Sequence, residues 1–218
     1  MPSVLDIRSL GFDYGGRPVL DNLSLTQEAG AHRVLLGPSG SGKTTLIHLI
    51  AGLLTPSRGT IAIDGETISD LPAAKRDDLR RRNIGVVFQT LRLVAALDVT
   101  ANLLLAQKLA GHAPDRAEAA AILAEFDLTQ RAHARPRELS QGEAQRAAIA
   151  RGLVSRPKLL IADEPTSALD DRNAARVARL LIDTAGRHGS TLLVATHDAR
   201  MREFIPDAVT LAPLREAA

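Results

Sequence analysis

The 218 residues predict an α/β fold: an open parallel sheet with helices, preceded by an antiparallel β portion and interrupted by a helical insertion over about residues 90–156. Three observations predict it. Short apolar runs alternate with helix-length stretches along the C-terminal third. Four apolar runs stop abruptly on polar groups: RVLL (33–36) on a glycine-rich loop, GVVF (85–88) on Gln89, LLIA (159–162) on Asp163-Glu164, and LLVAT (192–196) on His197. Finally, Ala, Leu, Arg and Glu dominate 98–156, a composition that favours helices. Ligands of open parallel sheets sit beyond the carboxyl ends of the strands, so the pattern that predicts the sheet also predicts its site.

The elements follow in order. Residues 4–9 alternate as a strand, and Gly15-Gly16 turns the chain into a second strand over 18–25. Arg33–Leu36 is a short strand, and helix 43–51 (KTTLIHLIA) follows the glycine loop. Thr60 to Ile68 (TIAIDGETI) is a hairpin with Asp64-Gly65 at its turn. The basic run Lys75 to Arg82 (KRDDLRRR) reads as a solvated helix face. Ile84 to Phe88 is a strand. Beyond the insertion come strand 158–162, helix 172–187, strand 191–196, a short helix near 199–204 and a last strand near 207–212. The core thus comprises 1–89 and 157–218 of one domain, a length that buries a substantial interior.

Composition narrows the function classes. With 27 Lys and Arg against 25 Asp and Glu the net charge is +2, so no general polyanion or nucleic-acid partner is expected. The absence of cysteine excludes disulfides and thiolate metal sites. Asp6 and Arg8 stand where a signal peptide needs an apolar core, and Asp98 and Asn102 interrupt the best candidate for a membrane span. The expectation is a cytoplasmic chain whose membrane span, if it works at one, comes from another polypeptide.

The strand ends carry the chemistry. In GPSGSGKTT (Gly37, Pro38, Ser39, Gly40, Ser41, Gly42, Lys43, Thr44, Thr45) the glycines let successive amides curl around a phosphate. The helix that follows turns its positive end to the same anion. Lys43 reaches the β- and γ-phosphates and the Thr44 hydroxyl binds Mg²⁺. Asp163 is a second Mg²⁺ ligand, through water. Glu164 is the group that polarises an attacking water. Gln89, a neutral amide, can serve both the metal and the water. His197 contacts the γ-phosphate and keeps Glu164 and the water in register. Tyr14, the single tyrosine, sits in a Gly-rich hairpin where it either stacks on an adenine or packs under the hairpin.

A further block, LSQGE (139–143), opens a helix just before the strand that ends on Asp163-Glu164. On these residues the chain resembles the ATP-binding subunit of ABC transporters over essentially its whole length. Tyr14 matches that family's A-loop, Gly37–Thr45 its Walker A motif, Gln89 its Q-loop and Leu139–Glu143 its signature. Leu159–Glu164 matches Walker B, Ser167–Asp170 the D-loop, and His197 the switch histidine. The resemblance implies a P-loop NTPase core, Mg²⁺-dependent ATP hydrolysis, and a head-to-tail homodimer sandwiching two ATP molecules. It also implies an integral-membrane permease as partner and a peripheral place on the inner face of the cell membrane. Each signature, through Ser140 and the Gly142 amide, would then contact the nucleotide held by the other subunit.

The signature departs from the family's usual Leu-Ser-Gly-Gly-Gln, with Gln141 for Gly and Glu143 for Gln. Ser140-x-x-Glu143 is a capping box, in which either Glu or Gln can answer. Glu143 is tolerable beside a polyphosphate if it turns back onto its own cap. The short chain and the segment FQTLRLVAALDVTANL (88–103) resemble ATPases of lipoprotein release, macrolide-type export or division-linked signalling. Two uses stay open on this footing: powering export or lipid-type extraction, or switching a membrane complex that signals without transporting.

Overall fold

The computed structural model describes residues 2–167 and 169–214. Strand β1 (Ser3–Tyr14) pairs antiparallel with β2 (Arg17–Glu28) across the Gly15-Gly16 turn. Then β3 (Arg33–Leu36) leads into α1 (Lys43–Ile50). The second hairpin, β4 (Arg58–Ile63) and β5 (Glu66–Thr67), joins the first in a sheet of order β2-β1-β4-β5. Next come α2 (Ala73–Asn83), β6 (Ile84–Val87), α3 (Val99–Leu109), α4 (Arg116–Glu125) and α5 (Gln141–Leu153). The chain continues through β7 (Leu159–Asp163), α6 (Asp171–Arg187), β8 (Thr191–Thr196) and β9 (Ala208–Thr210). Strands β6-β7-β8-β3-β9, in that order, make an all-parallel sheet.

The first hairpin runs further than its alternation predicts. Register shifts interrupt the β1–β2 ladder between Ile7 and Leu10, and Ser9 adopts a positive φ of 46°. Such bulges break the period-2 pattern without ending the strand. The short helix expected near 199–204 is a 3₁₀ turn over Ala199–Glu203. Helix α2 carries the basic run, with Leu79 as its buried residue. Its arginines pair locally, Arg80 with Asp77 and both Arg81 and Arg82 with Asp78.

The parallel sheet lies between two cores, and successive strand residues divide between them. Val34, Leu36, Leu160, Ala162, Leu192 and Val194 face the insertion helices and α6, with Leu103, Phe126 and Ile149. Leu35, Leu159, Ile161, Leu193 and Ala195 face α1 and the antiparallel sheet, with Leu46, Ile50 and Ile61. Strands buried on both sides need apolar residues at every position, which is why they read as continuous runs. Packing of both faces holds β3, β6, β7 and β8 in register, so their carboxyl ends open on one edge.

Helix starts complete the frame. Asp98, Asp115, Ser140 and Asp170 cap α3, α4, α5 and α6 through side-chain oxygens. Helix α2, which follows Pro72, has no side-chain cap, and neither has α1, which follows Gly42 at φ 91°. The first amides of α1 are left for another acceptor.

Candidate active site

At the sheet's carboxyl edge a cavity of about 320 Å³ is lined by Ser39, Gly40, Gly42, Lys43, Thr44, Thr45, Gln89, Glu164 and His197, with Val19 of β2 as a further wall. Four strand ends therefore meet at one place. Gly37 and Pro38 lie behind the lining, where their carbonyls accept hydrogen bonds from Lys43 Nζ at 2.7 and 3.1 Å. The Lys43 ammonium, buried by the loop, also stands 3.6 Å from Glu164 Oε1. Ser41 is buried and its hydroxyl has no partner. The positive φ of Gly40 and Gly42, 80° and 91°, gives the loop its curl.

Glu164 is set by its backbone as much as by its neighbours. It follows β7 with φ 49°, a left-handed conformation that a glutamate adopts at a cost of about 1 kcal/mol or more. Its amide donates to the Ala195 carbonyl at 2.8 Å, so the chain turns towards the end of β8. There Oε2 accepts from the Thr196 hydroxyl at 2.8 Å, and both carboxylate oxygens lie 2.9–3.0 Å from His197 Nδ1. The carboxylate is thus held at the cavity wall between the imidazole and the ammonium.

Asp163 is buried next to Glu164 and is not among the cavity-lining residues. Its Oδ2 lies 3.3 Å from the Thr44 hydroxyl, and its Oδ1 is buried with no partner. Burial pushes the carboxyl above its ordinary value. The Thr44 hydrogen bond opposes that rise and the negative charge of Glu164 adds to it. An orphaned, desolvated carboxylate oxygen beside the Thr44 hydroxyl, with Thr44 and Gln89 lining the cavity, is an all-oxygen donor set suited to Mg²⁺.

Two expected groups lie elsewhere. Tyr14, at the end of β1, is 53% exposed and touches Phe12 edge-on, with ring centroids 4.8 Å apart. It is outside the cavity lining. Ser140 and Gly142 are exposed and line a separate cavity with Gln145, Leu169 and Asn173. Within one chain the signature and the glycine loop do not meet. In the D-loop segment, Ala168 lies outside the described residues. The cap forms as the capping box predicts. Glu143 accepts from the Ser140 amide at 2.8 Å, and the Glu143 amide donates to Ser140 Oγ at 3.3 Å.

Sequence reading missed Thr196 and Val19. Thr196 had a signal, since it closes the LLVAT run one residue before His197. Val19 had none, because it reaches the cavity across the fold. A second lock was also missed: Asp198, next to His197, accepts from the Thr166 hydroxyl at 3.0 Å and from Arg200 Nη2 at 2.7 Å.

Comparison with known proteins gives the family and the fold. A family model described as "ABC transporter" matches residues 20–167. The lipoprotein-releasing system ATP-binding protein LolD of Anaplasma marginale (strain St. Maries) is 39% identical over 217 residues, 97% of each chain. Its counterpart from Syntrophotalea carbinolica is 38% identical, covering 89% of this chain and 86% of its own. Among solved structures, the ATP-binding cassette MJ0796, a dimer in a post-hydrolysis state bound to ADP and Pi, superposes with a TM-score of 0.86 at 30% identity, covering 97% of both chains. The fold is therefore the P-loop cassette, and the chain belongs to the ABC transporter family as an ATP-binding, ATP-hydrolysing subunit.

Proposed function

We propose that this ATPase drives lipoprotein release or a related export step, as a head-to-tail homodimer that closes on two ATP molecules beneath a membrane-spanning permease. One observation carries the dimer: the glycine loop and the Ser140–Gly142 cap line different cavities of one chain, so a second copy is needed to unite them. Relatives named as lipoprotein-releasing ATPases, matched over almost the whole chain, support the substrate class.

Hydrolysis joins a water oxygen to the γ-phosphorus and breaks its bond to the β–γ bridging oxygen, so the protein's work is positioning and charge stabilisation. Lys43 exchanges the Gly37 and Pro38 carbonyls for β- and γ-phosphate oxygens. The uncapped α1 amides receive the same phosphates. Thr44, Asp163 and Gln89 would hold Mg²⁺, which supplies positive charge to the phosphates when bound. Glu164 accepts a hydrogen bond from the attacking water and aims its lone pair at phosphorus. His197 and Thr196 fix that carboxylate, and His197 extends to the γ-phosphate. The other subunit's Ser140 hydroxyl and Gly142 amide donate from the far side. Tyr14 is placed by the same reading against the adenine, which requires its exposed ring to meet the base when nucleotide binds.

Among the described residues no helix is long and apolar enough to cross a membrane. A groove of about 530 Å³ supports a docking place for the permease. Val86, Phe88, Val94 and Leu105 give it apolar walls, and Arg80 and Arg151 a basic edge. The test is purification from detergent-solubilised host membranes. The tagged chain should retain an integral-membrane protein, and ATPase activity of that complex in proteoliposomes should rise with acylated lipoprotein but not with its unacylated form. Equal rates with both would overturn the lipoprotein reading.

A further inference from the structure

Glu143 raises a problem at the signature that its cap only half answers. A carboxylate in the first turn of α5 stands next to the two groups, Ser140 and the Gly142 amide, that the proposed dimer turns toward a polyphosphate. The neighbourhood of Gly142 is open: a Cβ built there meets only Arg146 Nη1, at 3.8 Å. An approaching phosphate would therefore meet any carboxylate free to swing outward, and like charges repel strongly where water is excluded.

The carboxylate is not free. Oε2 accepts from the Ser140 amide at 2.8 Å, and Oε1 accepts from Arg131 Nε at 2.7 Å. Both oxygens are engaged, and the group is half-buried. These hydrogen bonds, with the Arg131 charge, hold Glu143 down to about 2. Arg146, one turn further along α5, is committed elsewhere, donating from Nε to the Phe126 carbonyl at 2.9 Å.

Arg131 in turn has a fixed base. It ends a 3₁₀ turn over Thr129–Arg131, entered from the fully buried Leu128. The residues just after it are pinned to the start of α3. The Ala132 carbonyl accepts from both the amide and the hydroxyl of Thr100 at 2.9 Å, and the Ala134 carbonyl accepts from the Val99 amide at 3.0 Å. A guanidinium on such a base can hold a carboxylate in one direction.

We propose that Arg131 is a positioning residue for the signature: it pins the Glu143 carboxylate back over the α5 cap, so that Ser140 and the Gly142 amide face the other subunit's γ-phosphate. The role rests on the head-to-tail reading above. It also explains how this chain carries Glu where a neutral Gln would cap equally well. A Gln needs no cation, so the requirement for Arg131 should vanish with the charge.

That dependence is the test. In a Glu164→Gln background, which suppresses turnover, ATP-driven dimerisation is followed by gel filtration against ATP concentration. ATP binding by the monomer is measured separately. Arg131→Ala should raise the ATP concentration for half-maximal dimer by roughly 3- to 10-fold and leave monomer affinity unchanged. Arg131→Lys should recover part of the loss. In a Glu143→Gln background, Arg131→Ala should change the midpoint by less than about 2-fold. An equal loss in both backgrounds would make Arg131 a mere support of its 3₁₀ turn and overturn the proposal. So would no loss in either. Ser140→Arg separates the two levels. If it abolishes the dimer while Arg131→Ala does nothing, only the role of Arg131 fails. If the Ser140→Arg chain dimerises normally, the head-to-tail reading fails and the role of Arg131 with it.

Discussion

Lys43 rests on the carbonyls of its own loop, close to the carboxylate of Glu164. In the proposed role ATP replaces those partners with a multiply charged one. At about 100 times its dissociation constant, ATP with Mg²⁺ should stabilise the chain by about 2.7 kcal/mol, seen as a rise in melting temperature. Lys43→Ala should lose that shift, and an unchanged shift would remove the glycine loop from the site. Glu164→Gln should keep ATP binding and lose hydrolysis by about 100-fold or more, measured as phosphate release. Thr196→Val removes one hydrogen bond from the same carboxylate and should lower kcat by about 3- to 30-fold with little change in KM. A wild-type kcat in Thr196→Val would mean His197 alone fixes Glu164. The Glu143 carboxyl gives a pH signature. Its folded value, about 2, lies below the ordinary 4.5, so its contribution is present above 4.5 and is lost as pH falls towards 2. The difference in melting temperature between wild type and Glu143→Gln should therefore be constant above that window and shrink within it.

At the scale of elements, β6 and α5 are joined at one tight contact. A Cβ on Gly85 would stand 2.3 Å from the Gly152 carbonyl oxygen, which is backbone and cannot rotate away. Gly85→Ala should push α5 off β6 and destabilise the fold by about 1–3 kcal/mol in urea unfolding. It should also disturb Gln89 and the signature together, since one follows β6 by two residues and the other begins α5. Much of this level was legible in the chain. Parallel strands covered on both faces show as continuous apolar runs, and each run's terminal polar residue marked the site edge. Asp64-Gly65 and Gly15-Gly16 marked their hairpins because the turns take positive φ at both positions. What escaped was non-local. The β1 bulge at Ser9 hid the second half of its strand. The Arg131–Glu143 pair is formed by a 3₁₀ turn placed by its tertiary contacts, among them those of Ala132 and Ala134 with α3. Val19 reaches the cavity because the antiparallel sheet packs across α1, a placement no sequence spacing encodes.

At the scale of the whole molecule, the glycine loop and the Ser140–Gly142 cap line different cavities of one chain, and the proposed function assigns them to the two sides of one hydrolytic site. A head-to-tail pair makes two complete sites from two incomplete ones, a symmetry that closes after two subunits. In the proposed dimer turnover would depend on association, which would give ATP a way to move whatever the two subunits are attached to. The most direct measurement mixes two inactive chains. Lys43→Ala loses the glycine-loop function and Ser140→Arg the signature function, so each homodimer has two defective sites. A mixed dimer has one site with both defects and one with neither. At equal concentrations random pairing makes about half the dimers mixed, and ATPase activity should return to about a quarter of the wild-type rate, with a maximum at the equimolar point. Activity that stays at the level of the two mutants at every mixing ratio, with mixed dimers shown to form, would place both functions in the same subunit's site and contradict the account.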